Sequence, residues 1–170
     1  MSEVDYRSEI DEFETRYQYD STYLRELLVE SPDGYAKFVA FKPLACHQEQ
    51  LDPETYWIAK LAAMQVEDCG ECLQLNVRFA LESHVSREII EAVLQGGDGL
   101  SEELRDLYDF AVQVASSSEI DSALERRIQS RFDRGALLEL GICIATAKVF
   151  PTIKRAAGYA NRCRLIEIQV

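Results

Sequence analysis

The chain has 170 residues, of which 47% are hydrophobic and 28% are charged, and this composition is typical of an ordinary globular protein. The length fits one domain, or two helical halves packed together. The formal net charge of −12 would repel the phosphates of nucleic acids and anionic lipids, so we expect neither as a partner.

Residues 1–30 are predicted to form an acidic helical arm on a single all-helical domain that spans residues 1–170. Residues 1–34 carry ten acidic residues against three arginines, whereas residues 148–170 carry five basic residues against Glu167 alone. Two separately solvated ends are one interpretation. The other is that the acidic arm meets the basic segment, in the same subunit or in a neighbour, through complementary charge.

Apolar residues recur every three or four positions in almost every segment, which predicts an all-α fold. The stripes in the arm are Ile10, Phe13 and Tyr17, then Leu24, Leu27 and Leu28. The sequence Ser31-Pro32-Asp33-Gly34 predicts a turn after the second stripe. A third helix is expected to start near Tyr35 and to end before Pro43.

The central helix has the clearest start signal, because Asp52 can cap free amides and Pro53 fits the first helical position. We predict a mostly apolar helix over residues 53–66. The next sequence, Asp68-Cys69-Gly70-Glu71, has the form of a capping box with Asp68 as the cap. Both Cys69 and Cys72 should then lie in the first turns of an amphipathic helix.

Four further helices are expected toward the C-terminus. Their predicted caps are Ser86, Ser101 and Ser118, followed by a long buried helix over residues 136–147. The glycine-rich stretch 96–99 follows a helix and lacks the lysine of a phosphate-binding loop, so it is interpreted as a linker. Pro151 should kink or restart the chain after the buried helix.

The five cysteines are an odd number, which does not favour a structural disulfide framework. No apolar run approaches the ~20 residues of a membrane span, and the N-terminus is acidic where a signal peptide is basic. We therefore expect a cytoplasmic protein without membrane contact. The close pair, Cys69 and Cys72, then needs an explanation as a metal site, a redox site or a coincidence.

A redox dithiol is the favoured interpretation of the Cys-x-x-Cys pair. Residues i and i+3 share a helix face with Cβ atoms roughly 5 to 6 Å apart, which suits a disulfide. Free amides at a helix start favour a thiolate, whereas Glu67, Asp68 and Glu71 oppose it by like charge. Two buried structural cysteines remain an alternative. A zinc site is a weaker one, because the further ligands would be the adjacent residues Cys46 and His47, which cannot easily both turn to one tetrahedral site. A thioredoxin-type motif is also weaker, because it should follow a strand and the flanks here are helical.

The stretch Ser31-Pro32-Asp33-Gly34, then Leu51-Asp52-Pro53-Glu54, then Cys69-Gly70-Glu71-Cys72 resembles the alkylhydroperoxidase D-like / carboxymuconolactone decarboxylase family. The resemblance runs from about residue 30 to Gly99 and more weakly to Gly158. It implies an all-α, multi-helix orthogonal bundle and assembly into trimers or hexamers. We expect no metal or cofactor. In the peroxidase branch the resemblance implies that Cys72 attacks peroxide while Cys69 resolves the disulfide.

The sequence departs from the proton relay of that branch. Asn76 stands where the family has a histidine, and Trp57 where it has a glutamate. Asn76 shares the cysteine face and could orient a thiol or water, but an amide cannot accept and return a proton near neutral pH. Glu54 or Glu67 could reach the site, although solvent-facing roles are the simpler interpretation for both.

Other residues are expected to have lesser roles. His84 is interpreted as a surface or capping residue, and Cys143 as a small core residue. Cys46 and His47 could line the cleft, although a packed Cys46 beside an exposed His47 is preferred. Trp57 could wall an apolar pocket above the dithiol, or simply belong to the core.

Three functional hypotheses follow from the sequence. The first is a thiol-dependent peroxidase or thiol-disulfide oxidoreductase that meets a small-molecule peroxide or a protein thiol reductant. The second is a non-catalytic oligomeric binding or scaffold protein, favoured by Asn76 and Trp57. The third is a decarboxylase of the carboxymuconolactone type, which is weaker because nothing in the sequence indicates a lactone-carboxylate site.

Overall fold

Ten α-helices and no strand make up the part of the chain that the structure, a computed structural model, describes: residues 5–159 and 169–170. The predicted all-α fold is confirmed for these residues. The helices are α1 (Tyr6–Tyr17), α2 (Thr22–Glu30), α3 (Pro32–Ala45), α4 (Pro53–Val66), α5 (Gly70–Glu82), α6 (Arg87–Leu94), α7 (Glu102–Ala115), α8 (Ser122–Arg131), α9 (Arg134–Ala147) and α10 (Val149–Ala156).

Helix α4 is the centre of the fold, as the sequence predicts. Its start is fixed by Asp52, whose carboxylate accepts hydrogen bonds from the backbone amide of Thr55 at 2.9 Å and from its hydroxyl at 2.7 Å. Every residue from Thr55 to Met64 is buried, and the helix packs against α5, α6, α7 and α9. A helix that is apolar on all sides must be covered on all sides, and this one is.

Lys60 is the charged exception on α4. Burial lowers its pKa, while the neighbouring Cys143 and Cys46 oppose that shift. Its ammonium donates to the carbonyls of Ala45 and Cys143 at 3.2 and 2.8 Å and to the hydroxyl of Thr146 at 2.8 Å. All three donors are therefore satisfied, which makes the burial tolerable.

The turn predicted at Ser31-Pro32-Asp33-Gly34 is wrong. Only Ser31 separates α2 from α3, and Pro32 occupies the first position of α3, where its missing N–H costs nothing. Helix α3 also continues past Pro43 for two residues. It loses only the one hydrogen bond that an amide at Pro43 would have donated.

The start predicted for α8 is also wrong. Asp121 caps this helix in place of Ser118, because its carboxylate accepts from the amides of Ala123 and Leu124. Ile120 therefore precedes the helix. The predicted restart near Pro151 is confirmed, since α10 begins at Val149 and holds the proline in its first turn.

The stretch Arg134–Ala156 contradicts the expectation that no segment is long and apolar enough for a membrane span. It has 23 residues and contains an 18-residue window with a mean hydropathy of 1.6. Length and composition are weak evidence here, because α9 buries Leu140, Cys143 and Ile144 in the core. The core helix of a globular protein passes the same test.

Salt bridges connect the helices of the acidic arm to each other and to α5. Arg25 on α2 pairs with Asp11 and Glu14 on α1, and Arg16 pairs with Glu82 on α5 at 3.1 Å. The arm also meets the C-terminal segment, because the Tyr159 hydroxyl donates to Glu26 at 2.6 Å.

Candidate active site

The two cysteines lie at the beginning of α5. Cys69 is the residue just before the helix, with extended backbone, and Cys72 lies in the first turn. The predicted capping box is wrong: Asp68 has a left-handed backbone with φ of 48°, and Cys69 takes the cap position without a side-chain capping bond. Cys72 therefore lies near the free backbone amides at the start of α5 and near the positive end of the helix dipole, and both favour a negative charge on its sulfur.

Both cysteines are buried, and they lie close together. Each of the two residues is 2% exposed, and they approach each other to 3.0 Å. The structure holds them in the dithiol form. The geometry is compatible with closing and opening a disulfide, as an i, i+3 pair at a helix start requires.

A cavity of about 480 Å³ adjoins this pair and is enclosed by α1 to α5, α9 and α10. Its wall is mainly aromatic and aliphatic, with Phe13, Tyr35, Phe38 and Phe150 among its residues. Cys72 lies on this wall, whereas Cys69 does not line the cavity. The two cysteines thus have different access to anything bound there.

Tyr19 is a polar side chain that contacts Cys72 directly. Its hydroxyl donates to the hydroxyl of Tyr23 at 3.4 Å and lies 3.5 Å from the Cys72 sulfur. Burial, together with the neighbouring Tyr23 and Cys72, raises the pKa of Tyr19 well above its usual range. Tyr19 therefore stays protonated and can offer its O–H to a thiolate, but it cannot act as a base.

Cations from α10 offset the acidic residues that the sequence places around the cysteines. Lys154, with no exposed surface, pairs with Glu71 and lies over the ring of Tyr19, 4.7 Å from its centroid. Arg155 pairs with Glu67. These cations offset the repulsion that Glu67 and Glu71 would exert on a thiolate. The basic C-terminal segment thus contacts the cysteine helix as well as the arm.

The two departures from the family relay, Asn76 and Trp57, both lie on the cavity wall. The Asn76 side-chain amide donates to the backbone carbonyl of Cys72 at 2.8 Å. This hydrogen bond is made to the backbone of α5 and not to the Cys72 thiol. Trp57 is 9% exposed and packs against Tyr56 and Phe79. The pocket role considered for Trp57 fits its position.

The acids considered for a relay lie elsewhere. Neither Glu54 nor Glu67 lines the cavity. The Glu67 carboxylate is taken by Arg155, with Lys148 at 3.9 Å. His84 is exposed in the turn after α5, as expected for a surface histidine.

The remaining cysteines divide between surface and core. Cys46 is exposed and lines the cavity while His47 is only half-buried, so the preferred packed Cys46 beside an exposed His47 is wrong. Cys143 is a core residue, as predicted, and burial raises the pKa of its thiol to about 11. Cys163 lies outside the described residues, among which no cluster of potential metal ligands occurs.

Sequence reasoning missed Tyr19 and Lys154 at this site. Tyr19 follows α1 and Lys154 lies on α10, so each is far from α5 along the chain. Lys154 belongs to the basic segment at residues 148–170, but nothing in the sequence specifies its partner. Tyr19 carried no motif signal at all.

Comparison with known proteins supports the family resemblance. Residues 32–98 match the carboxymuconolactone decarboxylase family. The matched segment runs from the start of α3 through α6, and it contains both cysteines, Asn76 and Trp57. No match was found among curated proteins or among solved structures.

Proposed function

From the family match over residues 32–98, we propose that this protein is a thiol-dependent peroxidase or thiol-disulfide oxidoreductase that acts through Cys72 and Cys69. One observation carries the proposal: Cys72 lies on the wall of the cavity, and Cys69 lies next to it but off that wall. A nucleophile needs access to the substrate, whereas a resolving thiol needs access only to the nucleophile. The roles that the family resemblance implies fit these positions.

The proposed reaction begins with the Cys72 thiolate attacking the outer oxygen of a hydroperoxide. An S–O bond forms and the O–O bond breaks, which leaves a sulfenic acid on Cys72 and releases an alcohol that carries the proton lost by the thiol. The Cys69 thiol then attacks the Cys72 sulfur and water leaves as the disulfide forms. An external dithiol or protein thiol returns two electrons by disulfide exchange and restores both thiols.

Tyr19 is proposed to supply the hydrogen bond that the missing histidine does not. Its O–H, which donates to Tyr23 in the dithiol form, turns to the sulfur 3.5 Å away, where it stabilises the thiolate and then the developing negative charge on the leaving oxygen. Lys154 above the ring keeps a positive charge nearby. The proton itself leaves through solvent or through the leaving group, because Tyr19 remains protonated.

The experiment that tests the function treats the reduced protein with cumene hydroperoxide and maps the product by mass spectrometry. We expect a Cys69–Cys72 disulfide and one equivalent of cumyl alcohol. A folded protein that keeps both cysteines as thiols while the peroxide persists would exclude the proposal.

Replacing Tyr19 by Phe should slow oxidation of Cys72 by roughly ten-fold or more, since a hydrogen bond to a charged group is lost. The rate of peroxide consumption in stopped-flow mixing, followed over a range of pH, measures this. Tyr35→Phe is the matched control, because Tyr35 lines the same cavity on α3 and is not among the contacts of the sulfur. Equal rates for both variants would remove Tyr19 from the mechanism.

We also propose a cytoplasmic homo-oligomer, a trimer or hexamer, as the family resemblance implies. Val29, Leu44 and Leu138 are large hydrophobic side chains that remain exposed in the single chain, between 46% and 61%. Burial of such residues between subunits is a common source of stability. Light scattering of the purified protein measures the mass, and a monomer at all concentrations would contradict this proposal.

A further inference from the structure

The cavity wall holds two buried polar atoms that lack hydrogen-bond partners. Within residues 5–159 and 169–170, these are the indole nitrogen of Trp57 and the hydroxyl oxygen of Ser21. Ser21 is fully buried, and Trp57 is 9% exposed. Folded proteins seldom leave a buried donor without an acceptor, because the group loses its water and gains nothing.

Two other buried polar groups along this wall, those of Tyr56 and Lys60, are satisfied within the protein. The Tyr56 hydroxyl donates to the carbonyl of Ala45 at 2.7 Å, and the Lys60 ammonium has three acceptors. The two missing partners therefore belong to the cavity and do not reflect a poorly packed interior. An occupant of the cavity is the natural source of an acceptor.

We propose that the cavity is a binding site for a neutral, mainly apolar small molecule with a carbonyl group. The carbonyl oxygen accepts hydrogen bonds from both the Trp57 indole and the Ser21 hydroxyl. The aromatic and aliphatic wall takes the rest of the molecule. This proposal goes beyond the redox function and does not depend on it, because binding requires neither cysteine to react.

The size and charge of the cavity set the ligand class. A volume of about 480 Å³ corresponds to roughly 16 water-sized groups, at about 30 Å³ of liquid volume each. Lys60 offers a carboxylate no free N–H, because all three of its protons are already donated, and Lys42 and Glu9 on the wall carry opposite charges, so these two residues give an anion no net attraction. A neutral ketone or ester of about a dozen to sixteen heavy atoms meets these conditions.

The direct test titrates the reduced, full-length protein with 2-undecanone and follows tryptophan fluorescence. Trp57 is the only tryptophan in the chain, so the signal comes from the proposed contact. We expect a saturable change in emission with the ketone, and binding at least ten-fold weaker with undecanoate, its anionic counterpart. 2-Undecanone is not an oxidant, so the outcome is independent of the redox proposal.

Variants locate the site. We expect Ser21→Ala and Trp57→Phe each to weaken binding of the ketone by roughly 5- to 30-fold, the value of one hydrogen bond to a buried group. Fluorescence measures the first variant, and calorimetry measures the second, which lacks the tryptophan. Tyr108→Phe is the control, because Tyr108 is a buried aromatic residue on α7 that does not line the cavity.

Three results would overturn the proposal: no saturable binding of 2-undecanone, tighter binding of undecanoate, or unchanged affinity in either folded variant. If Trp57→Phe fails to fold, Ser21→Ala decides alone, because removing an unpartnered hydroxyl does not remove a hydrogen bond of the protein.

Discussion

Replacing Cys72 by Ser is expected to reduce peroxide consumption by roughly a thousand-fold or more, because a serine hydroxyl is a very poor nucleophile without a base to activate it. Cys69→Ser should behave differently. Cys72 would still react once, since its position on the cavity wall is unchanged, but no partner thiol would remove the sulfenic acid. We therefore expect one equivalent of peroxide consumed and no further turnover.

The measurement is a peroxide assay, run with a dithiol reductant to follow the turnover of Cys72→Ser and without added thiol to follow the stoichiometry of Cys69→Ser, combined with dimedone labelling of sulfenic acid. The Cys69→Ser variant should carry the label on Cys72, and the wild-type protein should carry a disulfide instead. The assignment of the two roles would be reversed if Cys72→Ser carried a sulfenic acid on Cys69.

Cys46 provides the matched control. It is exposed and lines the same cavity, but it lies away from α5 in the loop after α3. Cys46→Ser should keep full turnover if the helix start and the contact with Tyr19 make Cys72 reactive. A loss of turnover in Cys46→Ser with normal turnover in Cys72→Ser would show that exposure, and not position on α5, selects the reactive thiol.

The helices were predictable where local chemistry decides them. Asp52 and Pro53 specify the start of α4 within the sequence itself, and the apolar content of residues 55–64 specifies its burial. The errors arose where two signals competed. Ser31-Pro32-Asp33-Gly34 fits both a turn and a helix start, and only the packing of α2 against α3 decides between them.

The site was predictable only in part, because it is assembled from distant segments. Cys69 and Cys72 are a local motif, and their spacing was sufficient to identify them. The contacts of Tyr19 and Lys154 with that motif depend on how α1, α2 and α10 pack, and helical periodicity carries no information on such packing. The same holds for Glu67, whose charge was visible but whose pairing with Arg155 was not.

Glu139→Gln is expected to lower the free energy of unfolding by about 1.5 to 3 kcal/mol at neutral pH. Glu139 lies on α9, is 3% exposed, and accepts hydrogen bonds from the amides of Glu49, Gln50 and Leu51 at 3.0, 3.0 and 3.1 Å. It thereby fastens the loop that leads into α4. A glutamine offers one oxygen, and its NH₂ group would face amide donors.

The pH dependence follows from the pKa of Glu139. Burial alone would raise this pKa, but the three backbone hydrogen bonds, with a smaller effect of His47, lower it below its usual value. A lowered carboxyl pKa contributes stability above the unfolded-state value of about 4.3, and that stability is lost as the pH falls through the folded-state value. The difference between wild type and Glu139→Gln should therefore be largest at neutral pH and shrink in acid.

Urea unfolding at several pH values, followed by circular dichroism, measures this difference. Glu119→Gln is the matched control, because Glu119 is exposed in the loop before α8 and should change stability by less than about 0.5 kcal/mol. A Glu139→Gln variant as stable as this control would mean that the three hydrogen bonds only offset the cost of burying the carboxylate. A constant difference at all pH values would instead assign the lost stability to packing, because only a titrating carboxylate makes the free energy of unfolding depend on pH.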